Sequence, residues 1–441
     1  MFSTTPAFNL KAVLKETGLA ADTLRAWERR YGLPTPERSA GGHRLYSQRD
    51  IETIKWLIAR QAEGLSISRA VDLWNEQTAS DSDPLAGATS SALTTLKATP
   101  TGTSLDALRA DWIAACLKFS ETAAEQTLNQ AFSMFPVEAV CMDVLQKGLA
   151  QVGELWYDNQ ASVQQEHFAS ALAMRRLDAL LSASPAPSRK QTVIVGCPAE
   201  EWHAFTSLLL ALLLRRRGLG VIYLGANVPT EQFAETAASI RADLVILVAQ
   251  TLVTAATLQQ SARTLASQGV RAAFGGRIFN LHPSLAESIP AHFLGQSLIA
   301  SLDEVDHLIE SKTFRVSETL KVSKPVSQEY EAARQFFVAK RPEIEMTLRQ
   351  IVQPLAVSPE GLMSGIVHLG NNIVAALQLG DINFLSGEME WLKNLAKAHE
   401  RPTQELADFM GSYARAVRQH INGAGRPISD WLSSEVDRLQ N

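Results

Sequence analysis

His203 falls in the segment GCPAEEWHAFT (196–206), directly after a run of apolar residues. An imidazole there is a good donor to a transition metal, and Glu201 is placed to orient it. Taken alone, a loop histidine is more often a polar surface residue, so its meaning depends on context. A second feature is the pair Gly275-Gly276, which ends a later apolar run. Paired glycines let a ligand approach the backbone where side chains would block it. A third constellation lies near the N-terminus. Thr23, Arg25 and Arg30 share one face of a predicted helix, and Arg38, His43, Arg44 and Tyr46 flank a chain reversal at Gly41-Gly42. Such a basic hairpin can lie along phosphates while the helix enters a major groove.

These residues need elements to hold them. Residues 8–31 read as helix, turn, helix: Gly18 supplies the turn, Asp22 is a natural N-cap, and Leu24 and Trp27 are available for a core. Residues 76–104 are rich in Ser, Thr, Ala, Gly and Pro without periodicity, which marks a linker. Residues 105–183 show apolar positions at three-and-four spacing, with Pro136 where a helix would begin, and the SASPAPS stretch Ser182–Ser188 then breaks the pattern. From Thr192 the rhythm changes to TVIVGC, GVIYLG, ADLVILVA and RAAFGG, with HFLGQS as a fifth strand candidate and helical segments between them. Apolar runs of this length predict a parallel sheet covered on both faces, with ligands beyond its carboxyl ends. Residues 328–441 are patterned as helix throughout.

Composition sets outer limits. The 441 residues suggest about three domains, and the chain is 46% hydrophobic and 20% charged, ordinary for a globular protein. With no charged-then-apolar leader and no unbroken apolar span of about 20 residues, neither a signal peptide nor a membrane segment is expected. Cys116, Cys141 and Cys197 are odd in number and widely spaced, against a disulfide framework and in keeping with a reducing cytoplasm. The net charge of −5 conceals a basic head: residues 1–75 carry eleven basic and eight acidic side chains.

The segment TLRAWERRYGLPTPERSAGGHRLYSQRDI is very similar to the winged-helix head of the MerR family. The resemblance covers about residues 7–75 and implies a homo-oligomer, dimer or tetramer, on palindromic double-stranded operator DNA. By position it assigns Thr23, Arg25 and Tyr31 to the recognition helix and Arg38, His43, Arg44 and Tyr46 to the wing. The segment Glu-Trp-His-Ala-Phe-Thr (201–206) resembles the D/E-x-H-x-x-G motif of cobalamin-binding domains, in which the histidine replaces the cofactor's own base as lower ligand to cobalt. The motif's last glycine is Thr206 here, and the nearest match to the family's S-x-L is Gln250-Thr251-Leu252. The resemblance implies cofactor contacts from Glu201, His203, Thr251, Gly275 and Gly276.

The preceding VGELWYDNQASVQQEHFAS carries Trp156 and then Glu166-His167, which alone would be a core tryptophan and two polar helix residues. The spacing resembles the W-x(9)-E-H element in the helical cap of CarH/LitR-type photoreceptors. That likeness places Trp156 over the upper face of the corrin, Glu166 against the adenosyl group of adenosylcobalamin, and His167 where it replaces that group on cobalt after photolysis. The expected architecture is a winged helix-turn-helix head (1–75), a linker (76–104), a four-helix cap (105–187), a doubly wound, flavodoxin-like cobalamin domain (188–312) and an all-α C-terminal domain (328–441).

The C-terminal segment is diffusely similar to the globin-like domains of bacterial sensors. Photocobilins pair such a domain with cobalamin, implying biliverdin or another bilin. No cysteine lies in this region, so the bilin would be non-covalent. His368, His399 and His420 are candidates to contact it, with Arg401, Arg415 and Arg418 for its propionates; a purely oligomerising domain is the alternative. For the whole chain the expectation is a light-responsive, non-enzymatic transcription regulator. The alternatives are a non-photic cobalamin- or tetrapyrrole-sensing regulator, and a cobalamin-dependent methyltransferase module.

Overall fold

The computed structural model describes residues 5, 6, 8–17, 19, 21–38, 44–62, 67–79, 85, 104–311, 325–352, 359–420 and 423–440. The chain divides into two compact units, residues 1–102 with 179–185, and residues 103–178 with 186–441.

The first unit is a small head. Strand β1 (Phe8–Asn9) leads into α1 (Leu10–Thr17) and α2 (Ala21–Tyr31). Strands β2 (Glu37–Arg38) and β3 (Arg44–Tyr46) follow, then α3 (Gln48–Ala62) and α4 (Ile67–Ala79). The strands form an antiparallel sheet of order β1-β3-β2. Val13, Leu24, Trp27, Ile51, Ile54, Leu57 and Val71 fill the core. Helix α2 starts one residue before Asp22, which is therefore inside the helix rather than its N-cap. Helix α4 also runs four residues past the expected start of the linker. Gly18, Gly41, Gly42 and His43 lie outside the described residues.

The second unit opens with the cap. Ser104 accepts a hydrogen bond from the Ala107 amide and starts α5 (Leu105–Leu117). Then come α6 (Glu121–Met134), α7 (Val137–Ala139), a π-helical stretch (Val140–Gln146), α8 (Lys147–Tyr157) and α9 (Val163–Ser182). Pro136 caps α7, as its position in the sequence suggests. Trp112, fully buried, packs so closely on Gly148 that a Cβ there would meet its ring at 2.8 Å.

A five-stranded parallel sheet follows: β4 (Thr192–Pro198), β5 (Gly220–Val228), β6 (Leu244–Val248), β7 (Ala272–Gly275) and β8 (His292–Phe293), in the order β5-β4-β6-β7-β8. Helices α10 (Phe205–Arg216), α11 (Thr230–Ile240), α12 (Leu252–Ser267), α13 (Arg277–Leu281) and α14 (Leu298–Glu310) connect or flank the strands. β6 is buried along its whole length, as a central strand covered on both faces must be. The order reverses between β4 and β6, the position where doubly wound sheets open a ligand crevice.

Five further helices complete the unit: α15 (Gln328–Val352), α16 (Pro359–Leu379), α17 (Phe384–Ala398), α18 (Thr403–His420) and α19 (Arg426–Gln440). They share one continuous apolar core with the sheet domain, α16 lying against α12. The Gln378 amide donates to the Ala256 carbonyl across that junction at 2.8 Å. No helix among the described residues is long and apolar enough to cross a membrane.

Candidate functional site

The loop after β4 carries His203 at the carboxyl end of the sheet, its side chain 72% exposed. Beneath it Glu201 is completely buried. A buried carboxylate must collect donors, and this one has four. Its Oε1 accepts from His203 Nδ1 at 2.7 Å and from the His203 amide at 2.9 Å. Its Oε2 accepts from the Gln250 amide at 2.7 Å and from Thr254 Oγ1 at 2.6 Å. Burial alone would push the Glu201 carboxyl up; the hydrogen bonds from His203, Thr254 and the two amides outweigh it and hold the group below the usual carboxylate range. The hydrogen bond to Glu201 raises the His203 imidazole above its ordinary value, against some desolvation.

A carboxylate only accepts, so Nδ1 must carry the proton, and in the neutral ring Nε2 keeps the lone pair. This is the tautomer of a metal-ligating histidine with a carboxylate behind it. Among the described residues no group of three or more His, Cys, Asp or Glu could hold a metal ion.

The cap supplies a second imidazole. On α9, His167 Nδ1 lies 2.7 Å from Glu166 Oε2, and Ser170 donates to Glu166 Oε1 at 2.7 Å. His167 is 75% exposed. Glu166 is near enough that its charge contributes to raising His203. A second carboxylate-backed imidazole thus stands on the cap, with the Glu166 charge within electrostatic reach of His203.

A cavity of about 160 Å³ opens at the carboxyl ends of β6 and β7, lined by Thr206, Gln250, Gly275, Gly276 and, from the π-helical stretch, Gln146. Gly276 has φ +128°, and a Cβ there would fall 1.9 Å from the Ala249 carbonyl oxygen. Only glycine is compatible with that position. At Gly275 a Cβ would meet nothing within 4 Å. Gln250 Oε1 accepts from the Arg277 amide at 3.0 Å, while its Nε2 is buried with no partner. An unmatched amide donor in a glycine-walled cleft fits a polar, nucleotide-like tail.

Thr251 differs from expectation. It is the N-cap of α12, its side chain committed to Thr254 in a capping box, and Gln250 lines the cleft in its place. Thr206, standing where the motif has glycine, adds its side chain to the same wall. Thr254 was missed from sequence, although its spacing three residues after Thr251 is a capping-box signature.

Trp156 has partners that the sequence does not point to. Its ring lies 6.3 Å from that of Trp391 and 6.2 Å from that of His399, and its carbonyl is 3.2 Å from His399 Nε2. It walls a cavity of about 630 Å³ formed with α16, α17 and α18. His368, His399 and Arg401 line that cavity with apolar side chains such as Leu395, Leu406 and Phe409. His420 does not. It bonds Thr347 Oγ1 at 2.7 Å and faces Glu343 at 3.5 Å. Arg415 donates to Ser412 Oγ and Arg418 to Ser433 Oγ, so neither lines this cavity.

In the head, Thr23, Arg25 and Arg30 are exposed on α2 and Tyr31 is half-buried beneath the Arg30 guanidinium. Arg38 pairs with Arg44 across the β2–β3 hairpin. Tyr46, expected at the DNA surface, is fully buried. Its hydroxyl donates to Glu28 Oε1 at 2.6 Å while Arg44 Nε donates to Glu28 Oε2 at 2.8 Å. Tyr46 therefore fastens the wing to α2 instead of presenting itself to DNA.

A winged helix-turn-helix head joined to a helical cap and a carboxylate-tuned histidine on a doubly wound sheet defines a cobalamin-linked DNA-binding regulator. Family models agree with this class: MerR HTH family regulatory protein over residues 8–77, and B12 binding domain over residues 108–181 and again over 191–296. The HTH-type transcriptional repressor CarH of Myxococcus xanthus is 30% identical over 295 residues, covering 66% of this chain and 95% of that protein. CarA of the same organism is 31% identical over 244 residues, covering 54% of this chain and 75% of that one. The chain belongs to the CarH family of HTH-type transcriptional regulators. Among solved structures, the Methanosarcina barkeri monomethylamine corrinoid protein matches with a TM-score of 0.41 at 17% identity, over 46% of this chain and 97% of that one.

Proposed function

We propose that this chain is a light-responsive transcription regulator whose hold on operator DNA is set by adenosylcobalamin. The observation that carries the reading is the buried Glu201 fixing His203 with Nε2 outward, in electrostatic reach of the Glu166–His167 pair on the cap. Bound there, adenosylcobalamin supplies a weak cobalt–carbon bond that visible light cleaves. His203, oriented by Glu201, would hold the cobalt, and Thr254 in turn steadies Glu201. Gln250 Nε2 would donate to the tail in the cleft of Gly275 and Gly276. Glu166 would contact the adenosyl group and holds His167 Nδ1, which would leave His167 Nε2 as a further donor to the metal once that group is lost. Movement of α9 then alters assembly, and through it the operator contacts of Thr23, Arg25, Tyr31, Arg38, His43 and Arg44.

Holoprotein kept dark and then illuminated tests this by light scattering and operator titration. The dark form should be the larger oligomer and bind more tightly. Equal size and equal affinity would contradict the reading.

A second chromophore is favoured by one observation, the 630 Å³ cavity in the C-terminal helices, which falls in the range of about 300–1,000 Å³ typical of cofactor pockets. Its apolar walls suit a tetrapyrrole, His368 and His399 its pyrrole nitrogens, and Arg401 a propionate. A bilin there is non-covalent, since all three cysteines are buried outside these helices.

A further inference from the structure

We propose that the C-terminal cavity is an effector site that acts on the cobalamin site through the corner between α8 and α9. The proposal rests on reading that cavity as the seat of a planar, carboxylate-bearing ligand of the tetrapyrrole class.

Two cap residues wall the cavity, Trp156 in the last turn of α8 and Val163 at the first position of α9. Trp156 opens the W-x(9)-E-H element and Val163 lies within its spacer, three residues before Glu166 and one turn away on the same helix. The corner is also clasped from the C-terminal side. His399 Nε2 lies 3.2 Å from the Trp156 carbonyl, and the Tyr157 hydroxyl donates to the Trp391 carbonyl at 3.4 Å. The Trp391 ring lies 6.3 Å from that of Trp156 and 5.7 Å from that of Tyr157.

A ligand in the cavity thus touches both sides of the corner that leads into Glu166 and His167, with no long relay between the sites. Val163 is 45% exposed and gains by being covered. Displacing the cap would strip that contact away, so an occupied cavity holds the corner in place and favours cobalamin. By linkage the effect is mutual: whatever factor the cavity ligand adds to cobalamin affinity, cobalamin adds to the cavity ligand.

The test uses the full chain in darkness, with biliverdin as the cavity probe and adenosylcobalamin as its counterpart. Cobalamin should bind at least about fivefold more tightly to biliverdin-loaded protein, and biliverdin should gain by the same factor from cobalamin. Trp391→Ala leaves the cavity walls intact and should bring the factor toward one. Gly365→Phe fills the cavity from α16. A Cβ at Gly365 meets only Phe409 at 3.7 Å, so the backbone accepts a side chain, and Gly365→Leu replaces the Phe variant should that one fail to fold.

If biliverdin binds the wild type, is excluded by Gly365→Phe and leaves cobalamin affinity unchanged, the effector proposal is overturned and the tetrapyrrole reading stands. If biliverdin does not bind at all, the tetrapyrrole reading fails. Coupling is then read from the filled cavity: a cobalamin affinity at least about fivefold tighter than wild type supports it, and an unchanged or weaker one overturns it.

Discussion

Glu201 does the most with one side chain. Fully buried and ionised, it is stable only because four donors converge on it, and two of those come from the residue it orients. Glu201→Gln keeps the shape but offers an amide nitrogen where acceptors are needed. Cobalamin affinity should fall by about 10–100-fold, the usual cost of losing a partner behind a metal-ligating histidine. Isothermal titration would show it, and an unchanged affinity would detach Glu201 from the site. At this scale the sequence was informative where the signal is local: Glu201 and His203 lie two residues apart on one loop. It failed where partners come from afar. Gln250 and Thr254 reach Glu201 from about 50 positions along the chain, at the start of another helix. The direction of Trp156 depends on His399, 243 residues away.

Elements were easier to read than their contacts. The apolar runs at 192, 220, 242 and 271 each became a strand, because a sheet covered on both faces demands uninterrupted apolar residues. The wing was also recognisable, yet the role of Tyr46 was not, since a tyrosine in a basic hairpin looks the same whether it faces phosphate or core. Two substitutions separate those roles. Tyr46→Phe removes a hydrogen bond to a carboxylate and should cost the head about 1.5–3 kcal/mol in denaturant unfolding. It should weaken operator binding without altering its salt dependence. Arg25→Ala should instead flatten the slope of log affinity against log salt by about one. A salt slope altered by Tyr46→Phe would return that residue to the DNA surface.

At the scale of the second unit, the C-terminal helices and the sheet domain share a core, so they should not behave as beads on a string. Ending the chain at residue 312 would uncover the α12 surface under α16 and leave apolar side chains in water. The shortened protein should melt well below the full chain and tend to aggregate; equal melting temperatures would mean that the junction contributes nothing. The all-helical character of this region was legible from its periodicity. Its junction with the sheet domain was not, because a helix pattern shows that an apolar face exists without showing what it meets.

The proposed switch turns on one coordination bond, from the His203 imidazole to cobalt. The most direct measurement is electron paramagnetic resonance of full-length protein loaded with cob(II)alamin, prepared with natural-abundance histidine and again with nitrogen-15 histidine. A protein imidazole on cobalt should convert each nitrogen superhyperfine triplet into a doublet in the labelled sample, and His203→Ala should abolish that response. Triplets that persist unchanged in the labelled protein would mean that the cofactor keeps its own base, and the proposed site would be wrong.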